Sequence, residues 1–264
     1  MKNVLVTGAA GGMGRAACEL LAKSGFRVWG LDRAEPQGEY AWRYVRADIT
    51  DAASVEAARD AVLAEAGSLD AVVHMAGVYD LNSLVEMPEE DWARIFGVNL
   101  SGPYRVNRAF MPLLAKGSWI VLVSSELAPL DPLPFTGIYG VTKAALEKYA
   151  FSLRMELQLL GIGVSVVRPG AVDTQLLDVS VQRMNAFHEN TKLYACNAAR
   201  FRKIVERVEA RKVTPEAVAR VVLRALQARR PRYVYNINRS PLLLLLNALP
   251  DRLQTAIIRM VLKP

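Results

Sequence analysis

"NVLVTGAAGGMG", Asn3 to Gly14, joins an apolar, β-branched run to a cluster of glycines and alanines. A strand with continuous apolar character is buried on both faces, which implies a parallel sheet covered by crossover helices. The helix that follows, from about Gly12 to Ser24, aims its unbonded N–H groups and positive dipole end back at the turn. Small residues there let the backbone bend sharply and lie close to a ligand. A pyrophosphate fits such a place. Gly8, Gly12 and Gly14 are spaced G-x-x-x-G-x-G, which differs from the G-x-G-x-x-G of many dinucleotide-binding turns.

Outward from this turn, short β-rich runs alternate with helical stretches to the end of the chain. "NVLVTG" (Asn3–Gly8), "RVWGLD" (Arg27–Asp32), "DAVVHMAG" (Asp70–Gly77), "SWIVLVSS" (Ser118–Ser125) and "GVSVVRPG" (Gly163–Gly170) read as buried strands. "YVRAD" (Tyr44–Asp48) and "RYVYNI" (Arg232–Ile237) are weaker strands, and Ala53–Ala66 and Tyr139–Leu160 are long enough for crossover helices. The pattern predicts an α/β chain: a doubly wound, mostly parallel, seven-stranded sheet with helices on both faces. With no linker and no solenoid repeat, residues 1–264 read as one domain. Ligands of such sheets bind beyond the carboxyl ends of the strands, where the strand order switches. The glycines and polar residues from Gly8 to Gly170 fall at those ends.

Composition narrows the function. The chain has 264 residues, just over half of them apolar, enough for a large core. The net charge of +7 lies mostly in the C-terminal third, in stretches such as "ARFRKIVERVEARK". Basic residues spread along helices read as solvated faces, and no nucleic-acid motif accompanies them. Two cysteines, Cys18 and Cys196, make no disulfide framework, and the amino end has no apolar leader, so a cytoplasmic protein is expected. His74 and His188 make no recognisable zinc pattern, and no metal is expected. "PLLLLLNALP" (Pro241–Pro250) is too short to cross a bilayer. It reads as a buried helix or a subunit contact, with a membrane-surface element as the alternative because Arg239, Arg252, Arg259 and Lys263 flank it.

Two positions suggest chemistry. Asp32 ends the second strand, about 20 residues beyond the glycine turn, where a carboxylate accepts hydrogen bonds from an adenosine ribose. It would repel a 2′-phosphate and so favours NAD, whereas Arg33 beside it could pair with that phosphate and admit NADP. In "YGVTK", Tyr139 and Lys143 stand four residues apart, one helical turn, on one face. An ammonium beside a phenol eases its ionisation and makes a base for neutral pH.

With "TGAAGGMG", Asp48 in "RADIT", "HMAG" (His74–Gly77), Asn99 in "GVNLSG", the serines of "VLVSS", "YGVTK" and "RPGAVDT" (Arg168–Thr174) in this order, the chain resembles the short-chain dehydrogenase/reductase family over nearly its whole length. The resemblance implies a Rossmann fold and hydride exchange between a nicotinamide cofactor and an alcohol or ketone. It makes Tyr139 the proton donor or acceptor, Lys143 its partner, Ser125 the residue that orients the substrate oxygen, and Asn99 the support of a water relay. It assigns the cofactor to Gly8, Gly12, Met13, Gly14, Asp32, Arg33, Asp48, Ile49, Ala76, Gly77, Tyr139, Lys143, Pro169, Gly170, Val172 and Thr174. Two departures stand out. His74 and Met75 replace the family's usual Asn-Asn, with His74 read as a structural substitution. The gap from Ser125 to Tyr139, the proline-rich "ELAPLDPLPFTGI", is one residue longer than the family's usual spacing.

The same resemblance makes residues 175–213 a substrate lid, with Leu176, Leu177, Met184, Phe187 and Tyr194 lining an apolar pocket or packing on the sheet, and 238–264 a C-terminal extension. "PFTGIYGVTKAALEKYAFSLRMELQLLGIGVSVVRPGAVDT" is most like the steroid- and retinol-type branch, which implies a hydrophobic substrate. The alternatives are the same chemistry on a 3-oxoacyl thioester or a sugar, the basic lid suiting an anionic carrier or a carboxylated substrate, and a non-catalytic dinucleotide sensor. Helices at Asn99–Leu114 and Tyr139–Leu160 would pair subunits in a homodimer or homotetramer.

Overall fold

The computed structural model of the chain describes residues 1–209 and 211–263, with 175–181 and 206–209 described by their backbone alone. The opening run forms β1 (Asn3–Thr7), whose Val4, Leu5 and Val6 are fully buried. It leads into α1 (Gly12–Lys23), β2 (Arg27–Asp32), β3 (Arg43–Arg46), α2 (Ala52–Ala66) and β4 (Leu69–His74). Then come α3 (Glu89–Phe96), a π-helical turn at Gly97–Ser101, α4 (Gly102–Phe110), β5 (Leu114–Val123), α5 (Gly137–Leu157) and β6 (Gly163–Pro169). The chain closes with α6 (Gln175–Asn190), α7 (Ala195–Glu209), α8 (Pro215–Gln227), β7 (Val234–Ile237), α9 (Pro241–Asn247) and α10 (Asp251–Leu262).

Among the described residues the seven strands form one sheet in the order β3-β2-β1-β4-β5-β6-β7, and every pairing is parallel. The expected sheet is therefore present, parallel throughout rather than mostly so. Residues of α2, α4 and α5 bury one face, with Val62, Phe110 and Leu146 at its centre. Residues of α1 and α8 bury the other, through Leu21, Val218 and Val222. That two-sided cover is why the strands read as unbroken apolar runs.

Strand limits differ from the sequence reading at the carboxyl ends. β1 stops at Thr7 because Gly8 takes φ +75°, and β4 stops at His74 rather than Gly77. The chain there leaves the ladder to line a crevice. β5 starts earlier than Ser118, at Leu114, because Ser118 Oγ accepts from Ala115 N at 3.0 Å and donates to Leu69 O at 3.0 Å, bridging a register shift.

After β6 the chain leaves the sheet for α6 and α7. Leu81, Met184, Phe201, Val205 and Leu262 form a separate buried cluster that joins these helices to α10. Asn197 Nδ2 donates to Leu262 O at 2.8 Å. The ring of Phe135, in the proline-rich segment before α5, lies 4.7, 5.2 and 5.3 Å from those of Phe187, Tyr194 and Phe201. The leucine run forms α9, with Pro241 at its first position and Ser240 capping Leu243 N. Leu243 is buried whereas Leu242 and Leu245 are 62% and 65% exposed, so this is a one-sided helix rather than a buried one. No helix among the described residues is long and apolar enough to cross a membrane.

Candidate active site

The order switches at β1, which lies between β2 and β4, and a groove of about 750 Å³ opens above it. Glycine is required in its floor. A Cβ on Gly14 would lie 1.9 Å from Gly8 O, and one on Gly8 would lie 2.6 Å from Ala76 N. Thr7 Oγ1 accepts from Met75 N at 3.2 Å and Ala76 N at 3.3 Å, which locks the ends of β1 and β4 together. α1 starts behind Gly11 with no side-chain cap, so its first-turn N–H groups face the groove as an anion site. Asp32 is held at the rim: Oδ2 accepts from Ala10 N at 3.0 Å and Oδ1 from Ala34 N at 3.1 Å. Gly8, Gly12, Met13, Gly14, Asp32, Arg33, Gly77 and Thr174 all line this groove. A floor that admits no Cβ at Gly8 and Gly14, uncapped N–H groups and a carboxylate at the far rim fit a dinucleotide.

A second, inner pocket of about 130 Å³ is lined by Met13, Gly77, Ser125, Tyr139, Lys143, Pro169, Gly170, Val172 and Thr174. Four residues, Met13, Met75, Gly77 and Thr174, line both groove and pocket, so the two are continuous. Asp48, Ile49, Ala76 and Asn99 line neither. The Asp48 carboxyl is held below the usual range by hydrogen bonds from Thr50 Oγ1 at 2.7 Å and Thr50 N at 2.8 Å. Ile49 packs under Gly102, where a Cβ would come within 2.6 Å of its Cδ1.

Tyr139 opens onto the pocket from the first turn of α5 and is 7% exposed. Burial pushes its phenol up to about 12, while a hydrogen bond with Ser125 acts downward. Lys143 does not lower it here. Its Nζ lies 5.7 Å from the ring centroid and donates to Val123 O at 3.1 Å, and burial brings the ammonium down to about 8. Desolvation of both groups outweighs their attraction, contrary to what spacing alone suggested. Of the two serines, Ser125 is the one bonded to Tyr139, and its Oγ also accepts from Leu127 N at 3.2 Å. Ser124 also lines the pocket, 2% exposed, and its Oγ has no hydrogen-bond partner among the described residues.

Asn99 lies in the π-helical turn, 1% exposed, and spans the backbone of Val78: Oδ1 accepts from its N–H and Nδ2 donates to its carbonyl, both at 2.9 Å. It also donates to Thr142 Oγ1 at 3.1 Å. A Cβ built on Gly77 would lie 3.5 Å from both Asn99 Oδ1 and Lys143 Nζ, so this glycine separates the two side chains. His74 lies below the site, its Nε2 2.8 Å from Asn107 Oδ1, and burial brings its pKa down to about 4.

The sequence reading missed three residues. Tyr79 places its ring 4.4 Å from that of Tyr139. Thr142 connects Asn99 to α5 by donating to Tyr139 O at 2.8 Å. Glu126, directly after Ser125, is buried at the wall of the pocket. An acidic residue where an apolar strand enters its turn was the one visible signal. Of the lid residues, Met184, Phe187 and Tyr194 pack in the Phe135 cluster and do not line the inner pocket. Leu176 and Leu177 lie outside the residues whose side chains are described.

The model of the short chain dehydrogenase family matches residues 2–185. The chain belongs to the short-chain dehydrogenases. As a member it is an NAD(P)-dependent oxidoreductase of the alcohol and ketone type. This dehydrogenase is 34% identical to the 2,3-dihydro-2,3-dihydroxybenzoate dehydrogenase of Escherichia coli over 73% of its chain and 81% of the relative's. It is 25% identical to a 3-ketodihydrosphingosine reductase of Bacteroides thetaiotaomicron over 97% of its chain and 96% of the relative's. A short-chain dehydrogenase/reductase of Burkholderia phymatum, solved in complex with NAD, superposes with a TM-score of 0.73 at 27% identity, covering 88% of each chain.

Proposed function

We propose that this short-chain dehydrogenase interconverts a lipophilic secondary alcohol and its ketone, using NAD in preference to NADP. The observation that carries the reading is the continuity of groove and inner pocket through Met13, Gly77 and Thr174. A dinucleotide bound along the groove would then end beside Tyr139 and Ser125. Bound nicotinamide supplies or accepts the hydride. Tyr139 gives or takes the proton at the substrate oxygen, Ser125 orients that oxygen, and Lys143 would hydrogen-bond the nicotinamide ribose. Asn99 fixes the turn at Val78 beneath them. Asp48, Ile49 and Ala76 support the adenine side of the groove from just outside it, and Pro169, Gly170 and Val172 close the nicotinamide end.

A lipophilic substrate is supported by Tyr79, Leu127 and Leu243 on the outer wall of the pocket. The relative matched along nearly the full chain, named for 3-ketodihydrosphingosine, agrees with it. The second reading is a polar substrate for the same chemistry, favoured by the dihydroxybenzoate dehydrogenase. Asp32 supports NAD, and the Burkholderia structure was solved with NAD. We place the protein in the reducing cytoplasm, which suits its two free cysteines, and treat 175–213 as its lid and 238–264 as its extension.

The test is a fluorescence titration with NADH and NADPH in parallel, on the native protein, Asp32→Ala and Tyr139→Phe. NADH preference that relaxes in Asp32→Ala is expected. Tyr139→Phe should bind NADH yet lose about 10²–10⁴ of turnover. Turnover that survives in Tyr139→Phe would remove the assigned role, and a native preference for NADPH would mean that Arg33 outweighs Asp32.

A further inference from the structure

Beyond the inner pocket lies a larger apolar cavity of about 460 Å³, walled by Phe201 and Ile204 of α7, Leu246 of α9, and Ile258 and Leu262 of α10. Its volume is that of a site for a small organic molecule, about 300–1,000 Å³. It is continuous with the inner pocket, because Glu126, Ala171 and Leu243 line both. Elongated apolar matter that starts at Tyr139 therefore has a mostly apolar path to follow, out past Leu243 and between the C-terminal helices.

Glu126 stands at the neck of that path, 6% exposed. Its Oε2 accepts from Ser240 N at 2.6 Å, the residue that caps α9, and its own N–H donates to Pro169 O at 2.8 Å. Oε1 faces the turn after β6: a Cβ on Gly170 would lie 2.8 Å from it. Among the described residues no hydrogen bond reaches Oε1. Burial pushes this carboxyl up, against the Ser240 N–H and the charge of Arg239. Glu126 lines both cavities, so the free oxygen of a mostly buried carboxyl is open to a ligand there, and a donor that reaches it gains a charge-assisted hydrogen bond. A ligand that carries a hydroxyl or amine next to its carbonyl would supply that donor while its chain fills the cavity.

We infer that the cavity between α7, α9 and α10 receives the hydrocarbon tail of the substrate, and that Glu126 at its neck selects an amphiphile bearing an O–H or N–H donor beside the reacting carbon. This deepens the lipophilic reading given above and rests on it. The C-terminal extension then sets tail length, and Glu126 acts on specificity rather than on the proton transfer.

The experiment uses the full chain with NADH and a series of 2-alkanones from four to fourteen carbons, each with and without a hydroxyl on the carbon next to the carbonyl. Binding is read separately by displacement of the neutral fluorescent probe N-phenyl-1-naphthylamine. A rise in kcat/KM of about fourfold per methylene is expected until the cavity is full. Leu246→Trp should lower the ratio of kcat/KM for the ten-carbon over the four-carbon ketone at least tenfold, and Ile258→Trp repeats the test from the facing wall. Glu126→Gln should reduce the preference for hydroxyketones about tenfold, mainly through KM. A flat chain-length series, with no displacement by long ketones, overturns the tail site even where turnover is seen. Hydroxyketone preference unchanged in Glu126→Gln overturns the role of that residue. Displacement by long ketones without turnover keeps the tail site and instead defeats the assignment of lipophilic ketones as substrates.

Discussion

At position 74 an imidazole is sealed 2% exposed against Asn107, and desolvation brings its pKa down from 6.5 to about 4. The unfolded chain takes up a proton near pH 6.5 that the native protein refuses until about pH 4. Stability linked to His74 is thus complete above pH 6.5 and falls as pH drops through that window, by about 2–3 kcal/mol at its lower end. His74→Asn should keep a partner for Asn107 and remove this slope. Urea unfolding at pH 7.5 and 4.5 measures it, and an equal pH dependence in both proteins would show that His74 does not carry it. Tyr139 and Lys143 are also set by desolvation, in opposite senses: the phenol is raised and the ammonium lowered. Each is held toward its neutral form, so charge placed in the pocket by a bound nicotinamide would act on groups poised to respond.

The turn from β1 into α1 works because backbone lies against backbone. Gly14 has no room for a methyl, since its nearest neighbour would be Gly8 O at 1.9 Å, and a carbonyl cannot swing aside as a side chain can. Gly11 differs: its nearest atom, Gly8 O, would be 3.4 Å away. We expect Gly14→Ala to cost about 1–3 kcal/mol and to weaken NADH binding, with Gly11→Ala far milder in both. Thermal melts and NADH titration decide it, and equal behaviour of the two variants would refute the close approach. Between α5 and β6, Arg168 and Glu147 form a mostly buried ion pair, with Nε donating to Oε1 at 2.8 Å. Glu147 also favours the charged form of Lys143, so this pair ties the helix that carries Tyr139 to the sheet both mechanically and electrostatically.

On the molecular surface, Tyr104 of α4 and Phe151 and Met155 of α5 are 49%, 52% and 48% exposed. Exposed large apolar side chains mark contact surfaces when they form a patch, and we propose that these helices pair subunits in a homodimer or homotetramer. Phe151→Glu should shift sedimentation toward the monomer and leave the far-ultraviolet spectrum native. A native protein that sediments as a monomer at micromolar concentration would exclude the assembly. The other apolar face, on α9 and α10, is turned inward at Leu243 and Leu262 around the tail cavity, so the extension serves the site as well as the surface.

Local signals carried the architecture. The unbroken apolar runs, the glycines at 8, 12 and 14, and Asp32 at the end of β2 needed no distant partner, because strand burial, turn sterics and strand-end position are written in consecutive residues. So was the one-turn spacing of Tyr139 and Lys143. What that pair does electrostatically was not, because desolvation depends on walls drawn from β5, the turn after β4 and the C-terminal helices. The same holds for Glu126, whose partner Ser240 is 114 residues away, for the Asn99–Thr142 bond, and for Phe135, which gathers lid aromatics that sequence alone offered to the substrate pocket. Burial and long-range hydrogen bonding are properties of the assembled chain, and in this protein they set the protonation, the neck and the tail cavity of the site.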